Sequence, residues 1–296
     1  MAFLPYGSTV PTLSPWQMNF NNALSLGPGT NLELTGLEGI DMPAVRSGDA
    51  GRARDHGAFA GLDLMGEREV IIKGDLHNLT GTFSEAWQEC ANATVPGGTI
   101  QYPLFLNTAT WGTLSTLVRV RKRQMPVEIT FTLGNLAKVM FLFAGTDPRW
   151  YGPTQQRSVK PPASVGGFTW PLKWNLKWGG GGYTGALSVT NAGNIETRPI
   201  LTVEGPCTNP SIQNATAPGG PTLTFGLTLL AGETLVIDTD MHTAILYSSG
   251  STAGSARAGL LTAGSKWWTL EPGTSTIQFL GSEGALTVEY ASAWII

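Results

Sequence analysis

Asp238, Asp240 and His242, three metal-capable side chains at two-residue steps, are the nearest approach to a ligand set in this sequence. On an extended strand they share one face at steps of about 7 Å, too far apart for all three to hold one cation. The glycine and distal glutamate of a calcium loop are missing as well, so the three read as a solvated strand face. Gly180-Gly181-Gly182-Tyr183-Thr184-Gly185 satisfies the spacing G-x-G-x-x-G. The adjoining residues Ala186-Leu187-Ser188-Val189-Thr190 alternate like a strand and offer no helix N-terminus to a phosphate, so a hairpin tip is expected. His56, His77 and His242 are scattered, and there is no H-E-x-x-H, no G-x-S-x-G and no zinc-type cysteine pair. The residues therefore predict no catalytic centre, no cofactor and no metal, and a protein that is not an enzyme.

Aromatic side chains are the remaining chemistry, because flat rings stack on sugar faces. Between residues 168 and 178 the chain alternates strictly, placing Trp170, Trp174 and Trp178 on one face with Leu172 and Leu176. Mixed with leucines, these rings read as core. Trp267 and Trp268 are adjacent, so on a strand they point to opposite sides. Either is a candidate for an exposed contact with a sugar or a partner.

Charge is sparse and uneven. Only 13% of the 296 residues are charged, against roughly 25% in an average soluble domain, which suits a chain that hides surface in an assembly. Residues 1–100 hold 5 basic and 11 acidic side chains, 101–160 hold 8 and 2, and 161–296 hold 5 and 8, for a net charge of -3. That balance argues against a protein that holds nucleic acid mainly by counterion release, while a basic middle between acidic flanks suits complementary subunit surfaces. In residues 117–123 the alternation sets Val118 and Val120 against Arg119, Arg121 and Arg123. The ridge Arg119, Arg121, Lys122 and Arg123 is expected to meet acidic residues of a neighbouring subunit, with Asp63, Glu67 and Glu69 the nearest choices. A simply solvated ridge is the equal alternative.

The elements that carry these residues are mostly strands. Residues 1–26 look irregular; 31–37 alternate as a strand with Leu32 and Leu34 inward. Residues 43–61 are polar and Gly-rich and hold Arg46, Asp49, Arg52, Arg54 and Asp55, which predicts a long loop or hairpin arm able to reach a neighbour. A strand at 67–74 leads to a helix near 82–93, where Thr82 and Glu85 form a capping box and Phe83, Ala86, Trp87 and Cys90 share a face. Pro126 breaks the basic strand, and residues 128–133 alternate again, predicting a hairpin partner with Ile129, Phe131 and Leu133 inward. Residues 139–143 are apolar throughout, as in a strand covered on both sides. The aromatic turn Asp147-Pro148-Arg149-Trp150-Tyr151 comes next, with Pro148 fixing the backbone and Asp147 bonding nearby amides. There the chain changes character, giving a β-rich domain over 1–152, a linker over 153–166 and a second domain over 167–296.

In the second domain, strands are predicted at 186–189, 199–204, 223–229, 234–240, 244–247, 267–270, 276–280 and 286–294. This is the pattern of a β-sandwich or jelly roll. Cys90 and Cys207 are expected to be buried free thiols, which suits folding in a reducing compartment. The N-terminal residues lack a signal-peptide pattern, no apolar run is long enough to span a bilayer, and the sequons at Asn78, Asn92 and Asn214 are expected to be unused.

Three stretches, in this order and spacing, resemble the siphophage distal tail protein family, also described as minor tail proteins. They are residues 145–151 with Asp147, Pro148, Arg149, Trp150 and Tyr151; Asn191-Ala192-Gly193-Asn194 followed by Pro199-Ile200-Leu201-Thr202-Val203-Glu204-Gly205; and Ser265-Lys266-Trp267-Trp268-Thr269-Leu270-Glu271-Pro272-Gly273. The likeness runs from about residue 15 to the end. It implies a mainly β fold: an N-terminal domain with one helix, six copies of which close into a ring around the tail channel, and a C-terminal jelly-roll or galectin-like domain outside it. It implies a structural virion protein at the distal end of the tail, assembled in the host cytoplasm. Its partners would be other copies of itself, the tail tube protein, the baseplate hub or tail-fibre protein and the tape-measure protein, with DNA only as cargo and no membrane insertion. The long linker and the Trp-rich run at 170–174 depart from the family pattern. They keep open an alternative, a carbohydrate-binding adhesin that attaches to the host surface through its β-sandwich. A secreted hydrolase is disfavoured because the first domain offers no paired acids in a convincing setting.

Overall fold

The structure, a computed structural model, describes residues 3–162 and 184–296. The chain divides into two compact units, one of Ala2–Pro153 with Ala293–Ile296 and the other of Thr154–Ser292. Trp170, Trp174, Trp178 and the glycines from Gly180 to Gly182 lie outside the described residues. No helix of the described chain is long and apolar enough to cross a membrane.

The first unit opens with β1 (Met18–Phe20), β2 (Leu24–Leu26) and β3 (Leu32–Glu38). An arm comes next in the chain, built of the short strands β4 (Val45–Arg46), β5 (Ala50–Gly51), β6 (Ala58–Phe59) and β7 (Leu64–Met65). Beyond it lie β8 (Arg68–Leu76), α1 (Phe83–Ala93), β9 (Tyr102–Thr108), β10 (Gly112–Gln124), α2 (Ile129–Gly134), β11 (Ala137–Gly145) and β12 (Trp150–Tyr151). The main sheet runs β2-β1-β9-β10-β11-β8-β3, every neighbour antiparallel. Strand β10 is shared among three partners, β12 meeting it at Ser115. Its first half, to Val118, pairs with β9, and from Arg119 onward it pairs with β11. The period-2 alternation then decides which side chains are inside: Val70, Ile72 and Leu76 of β8 face inward with Phe141 and Phe143 of β11, while Glu69 and Lys73 face out. Phe83, Ala86 and Cys90 of α1 close the same core, each large apolar side chain adding about 1.5–3 kcal/mol by leaving water.

Helix α1 starts where its sequence predicts. The Glu85 amide donates to Thr82 Oγ1 at 3.3 Å, and the Thr82 amide donates to Glu85 Oε2 at 2.8 Å. Residues 128–133 do not form the expected strand. Strands β10 and β11 pair directly with each other across these residues, and the segment closes as one short helical turn ended by Asn135 in the left-handed region. Phe131 alone turns inward, its ring 4.7 Å from Trp87 and 5.0 Å from Phe83. Ile129 and Leu133, expected in the core, are exposed.

The second unit contains β13 (Gln155–Val159), β14 (Ala186–Asn191), β15 (Ile200–Glu204), β16 (Cys207–Thr208), β17 (Ser211–Asn214), β18 (Thr222–Thr224), β19 (Thr228–Leu229), β20 (Thr234–Asp238), β21 (Thr243–Tyr247), β22 (Gly254–Ala256), β23 (Gly273–Phe279) and β24 (Ala285–Tyr290). One sheet runs β13-β24-β15-β20-β21-β22 and the other β14-β23-β17-β18, all antiparallel. Leu201, Leu235 and Val288 of the first sheet share a core with Ile212, Leu223 and Ile277 of the second, which makes a β-sandwich. Both cysteines are buried and free. Burial pushes the Cys90 thiol up to about 12.

Three sequence expectations are corrected here. Residues 155–159, expected in the linker, form β13 because their backbone pairs with β24. The predicted strand at 267–270 is irregular apart from a bridge between Thr197 and Leu270. The predicted last strand, 286–294, is two strands: after β24 the chain leaves the sandwich, and β25 (Ala293–Trp294) pairs with β12 in the first unit, Trp150 opposite Trp294.

Candidate functional site: the assembly surfaces

The turn that the sequence marks as a junction is an internal latch of the first unit. Asp147 Oδ1 accepts from the Arg149 amide at 2.9 Å and from the Arg149 guanidinium at 3.3 Å, and Asp147 Oδ2 accepts from Tyr151 Oη at 2.7 Å. Trp150 is fully buried and its Nε1 donates to Ile40 O at 3.2 Å. Pro148 O accepts from Arg68 Nε at 2.7 Å. Sequence reasoning missed Arg68. Its guanidinium is fully buried against the Trp150 ring and donates from Nη1 to the carbonyls of Gly39, Ile40 and Asp41 at 2.7–2.9 Å. Burial pushes its pKa down to about 10, against the opposing pull of Asp41 and Asp147. The missed signal is its parity, since Arg68 shares a face with Val70, Ile72 and Leu76.

The basic ridge is not one face. A bulge lies between Val120 and Lys122, where two residues of β10 oppose one step of β11, so the alternation slips by one at Arg121. Arg123 pairs with Phe141 on the inner side and donates to Ala91 O, the end of α1, at 2.5 Å. Arg121 stays outside and is held within its own chain by a two-pronged bond to Glu67, at 2.7 and 2.9 Å, and by Glu69 at 2.9 Å. Those bonds hold the Glu67 carboxyl below its ordinary value and raise the Arg121 guanidinium. The expected pairing of Arg121 with Glu67 and Glu69 therefore exists, but inside one subunit. Asp63 lies on the arm, while Arg119 and Lys122 share the outer side of β10.

The arm is the region expected from residues 43–61, and it is a hairpin. β4 pairs with β7 and β5 with β6. Between the two ladders the backbones cross at Gly48 and Gly61, where a Cβ on Gly61 would lie 2.0 Å from Gly48 O, so neither position has room for a side chain. Every residue from Ala44 to Leu64 is exposed. Phe59 is 64% and Leu62 75% accessible, and the Arg52 guanidinium sits 5.1 Å over the Phe59 ring. Two recesses lie elsewhere on this unit. One, of about 780 Å³, is lined by Lys73, Asp75, Met125, Lys138 and Met140. The other, of about 510 Å³, lies between α1 and α2 and is floored by Phe83, Trp87 and Phe131.

In the second unit Trp268 is buried, not exposed. Trp267 is half-buried, and the His242 ring lies on it at 4.7 Å with 16° between planes. The expected solvated strand face of Asp238, Asp240 and His242 does not form, since β20 ends at Asp238. Asp238 Oδ1 accepts from the amides of Asp240 and Met241, Asp240 pairs with Arg198 at 2.7 Å, and His242 adopts φ 53°. No cluster of metal-ligating side chains occurs among the described residues.

Residues 192–294 match the family model of the siphovirus-type tail component, C-terminal domain. The resemblance to siphophage tail proteins read from the sequence thus has an independent match. Comparison with curated proteins gives no match. Among solved structures, the chain is similar to SPP1 Dit (gp 19.1), described as a paradigm of the hub adsorption apparatus in Gram-positive infecting phages. Identity is 13%, 95% of this chain and 99% of that one are covered, and the TM-score is 0.62. It is also similar to chains of the phage p2 baseplate in its activated conformation. With Ca the identity is 9%, the coverage 88% and 91% and the TM-score 0.50; with Sr the values are 9%, 93% and 98%, and 0.51. The fold is that of the Dit hub proteins, and the mainly β class expected from the sequence is the observed one.

Proposed function

We propose that this chain is the distal tail subunit of a long-tailed phage, six copies of which close into a ring that joins the tail tube to the baseplate hub or tail fibre. In this reading residues 1–152 build the ring and residues 167–296 decorate its outside. The tape-measure protein is a further partner, DNA passes through the ring as cargo, and the ring is assembled in the host cytoplasm and resides at the tip of the virion tail. The observation that carries the proposal is the arm. More than twenty consecutive residues extend into solvent with Phe59, Leu62 and Leu64 exposed, large apolar side chains of the kind that subunits cover. A ring needs one patch to meet a different patch on the next copy, and an arm is such a patch. The Dit-like fold and the tail-component match over residues 192–294 support the same reading.

The alternative adhesin has less support, because the two tryptophans offered for sugar stacking are engaged: Trp268 in the core and Trp267 under His242. Negative-stain class averages of the purified full chain test the proposal. Six-fold rings with an open centre are expected; fields of single two-lobed particles at high concentration would overturn it.

A further inference from the structure

The recess between α1 and α2 has a floor of aromatic rings and a rim of free polar groups. Phe131 packs against Phe83 and Trp87 with ring centroids 5.0 and 4.7 Å apart and planes at 71° and 81°, so the floor is fixed before anything binds. Asn78, Ser84 and Asn135 line the same space. Neither their side chains nor Trp87 Nε1 take part in a hydrogen bond among the described residues. Asn135 reaches its place through the turn that ends α2, at a φ of 48° that Asn tolerates better than most residues. Thr82 and Glu85 are engaged in the cap of α1. Among the described residues no Lys, Arg, Asp or Glu lines the recess, and its volume of about 510 Å³ is that of a small-ligand site.

We infer that this recess binds a neutral pyranose sugar, with the CH face of the sugar on the aromatic floor and its hydroxyls on Asn78, Ser84 and Asn135. The lining selects that class. A charged ligand would be buried without a counter-charge, at high cost. An aliphatic ligand would strip water from the amides, the hydroxyl and the indole N–H and return no bond. Each Asn amide offers donors and an acceptor together, which a sugar hydroxyl satisfies in both senses. A proline-rich segment would also suit an aromatic groove, but its prolines bring carbonyl acceptors and no donor. A pyranose joins an apolar face to a rim of hydroxyls in one molecule. The recess differs here from the tryptophans of the sandwich, where His242 covers Trp267 and Trp268 is buried. The site does not depend on the ring reading, and it gives the first unit a function of its own, holding a glycan.

The test titrates the full chain with the methyl glycosides of glucose, galactose and N-acetylglucosamine, followed by saturation-transfer NMR of the sugar protons. At least one should bind with a Kd on the order of 1 mM, and neither glucuronate nor an oligoproline peptide should bind. Asn135→Gly removes the amide and keeps the left-handed turn. That change and Asn78→Ala should each raise the Kd about fivefold, the loss of one hydrogen bond. Both positions are exposed, so the thermal melt of each variant should match the wild type. Absence of transfer from every glycoside would overturn the inference. So would an unchanged Kd in both variants, or binding of glucuronate or oligoproline as tight as that of the best glycoside. None of these results bears on the ring.

Discussion

Replacing Asp147 with Asn removes one charge and keeps the shape of the side chain. The Arg149 and Asp147 side chains are 6% and 14% exposed, so little of the strength of their pair is lost to solvent. Removing one partner of a buried pair costs about 3–5 kcal/mol where the remaining charge is left unpaired, and Arg149 makes further interactions, so the low end of that range applies. The amide oxygen of Asn still accepts from the Arg149 backbone, which retains about 1 kcal/mol. The 2.7 Å bond from Tyr151 Oη falls from a charge-assisted to a neutral bond, a loss of about 1 kcal/mol. The net expectation is a first unit weaker by about 3 kcal/mol, a large share of the 5–15 kcal/mol typical of a domain. With a urea slope of about 1–3 kcal/mol per molar, the transition of the first unit should move down by roughly 1–3 M. Urea unfolding of the full chain should be followed by hydrogen exchange at residues 39–41 and 149–151, which separates the first unit from the sandwich. Tyr151→Phe in the same background should be partly non-additive, since both changes touch one bond. A shift of D147N below about 0.5 kcal/mol, the value for a solvated turn carboxylate, would refute the latch.

Thr82→Ala removes the bond from the Glu85 amide to Thr82 Oγ1, while the Thr82 amide still donates to Glu85 Oε2, and should lower stability by about 1 kcal/mol, seen as roughly fivefold faster amide exchange in the first turn of α1. The Glu67 carboxyl is held below its ordinary value by Arg121, so the stability it adds is present above the unfolded carboxylate pKa and is lost as pH falls through the folded one. Glu67→Gln should therefore lower stability slightly at neutral pH, flatten the acid limb of a stability profile below about pH 4.5 and match the wild type at the acid end. The Cys90 thiol, raised to about 12, should resist a thiol reagent at pH 8 and react only after urea unfolding, when the buried cysteines become accessible.

Much of this fold is legible in local chemistry. The capping box at Thr82 and Glu85 placed α1, because a cap needs only residues three apart. The alternation at 67–74 and 199–204 placed core strands, because one face of each is buried. The arm was visible as a polar, Gly-rich run, and Gly48 and Gly61 show why glycine recurs in it. What failed depended on distant partners. Residues 128–133 carry a strand-like alternation, yet β10 and β11 on either side of them pair with each other, so Phe131 goes to α1 and the rest to solvent. One extra residue at Arg121 turned a supposed ridge into an intrachain cluster and an inward Arg123, and no sequence period announces a bulge. The last strand reads as a continuation of β24, and only the pairing of Trp294 with Trp150 reveals that it belongs to the first unit. Arg68 escaped notice because a charged residue is expected outside, although its parity put it in. The Trp267-Trp268 pair was legible as opposed in direction, but not which ring is buried or that His242 covers the other.

The central claim is that the arm closes copies of this chain into a ring, and the solution mass of two chains by light scattering tests it most directly. One is the full chain; the other has residues 44–64 replaced by a two-residue Asn-Gly turn. The account predicts a particle of six times the 31.4 kDa chain mass for the first and single chains for the second, both with the same β-rich circular dichroism. Equal masses for the two, whether both rings or both monomers, would contradict it.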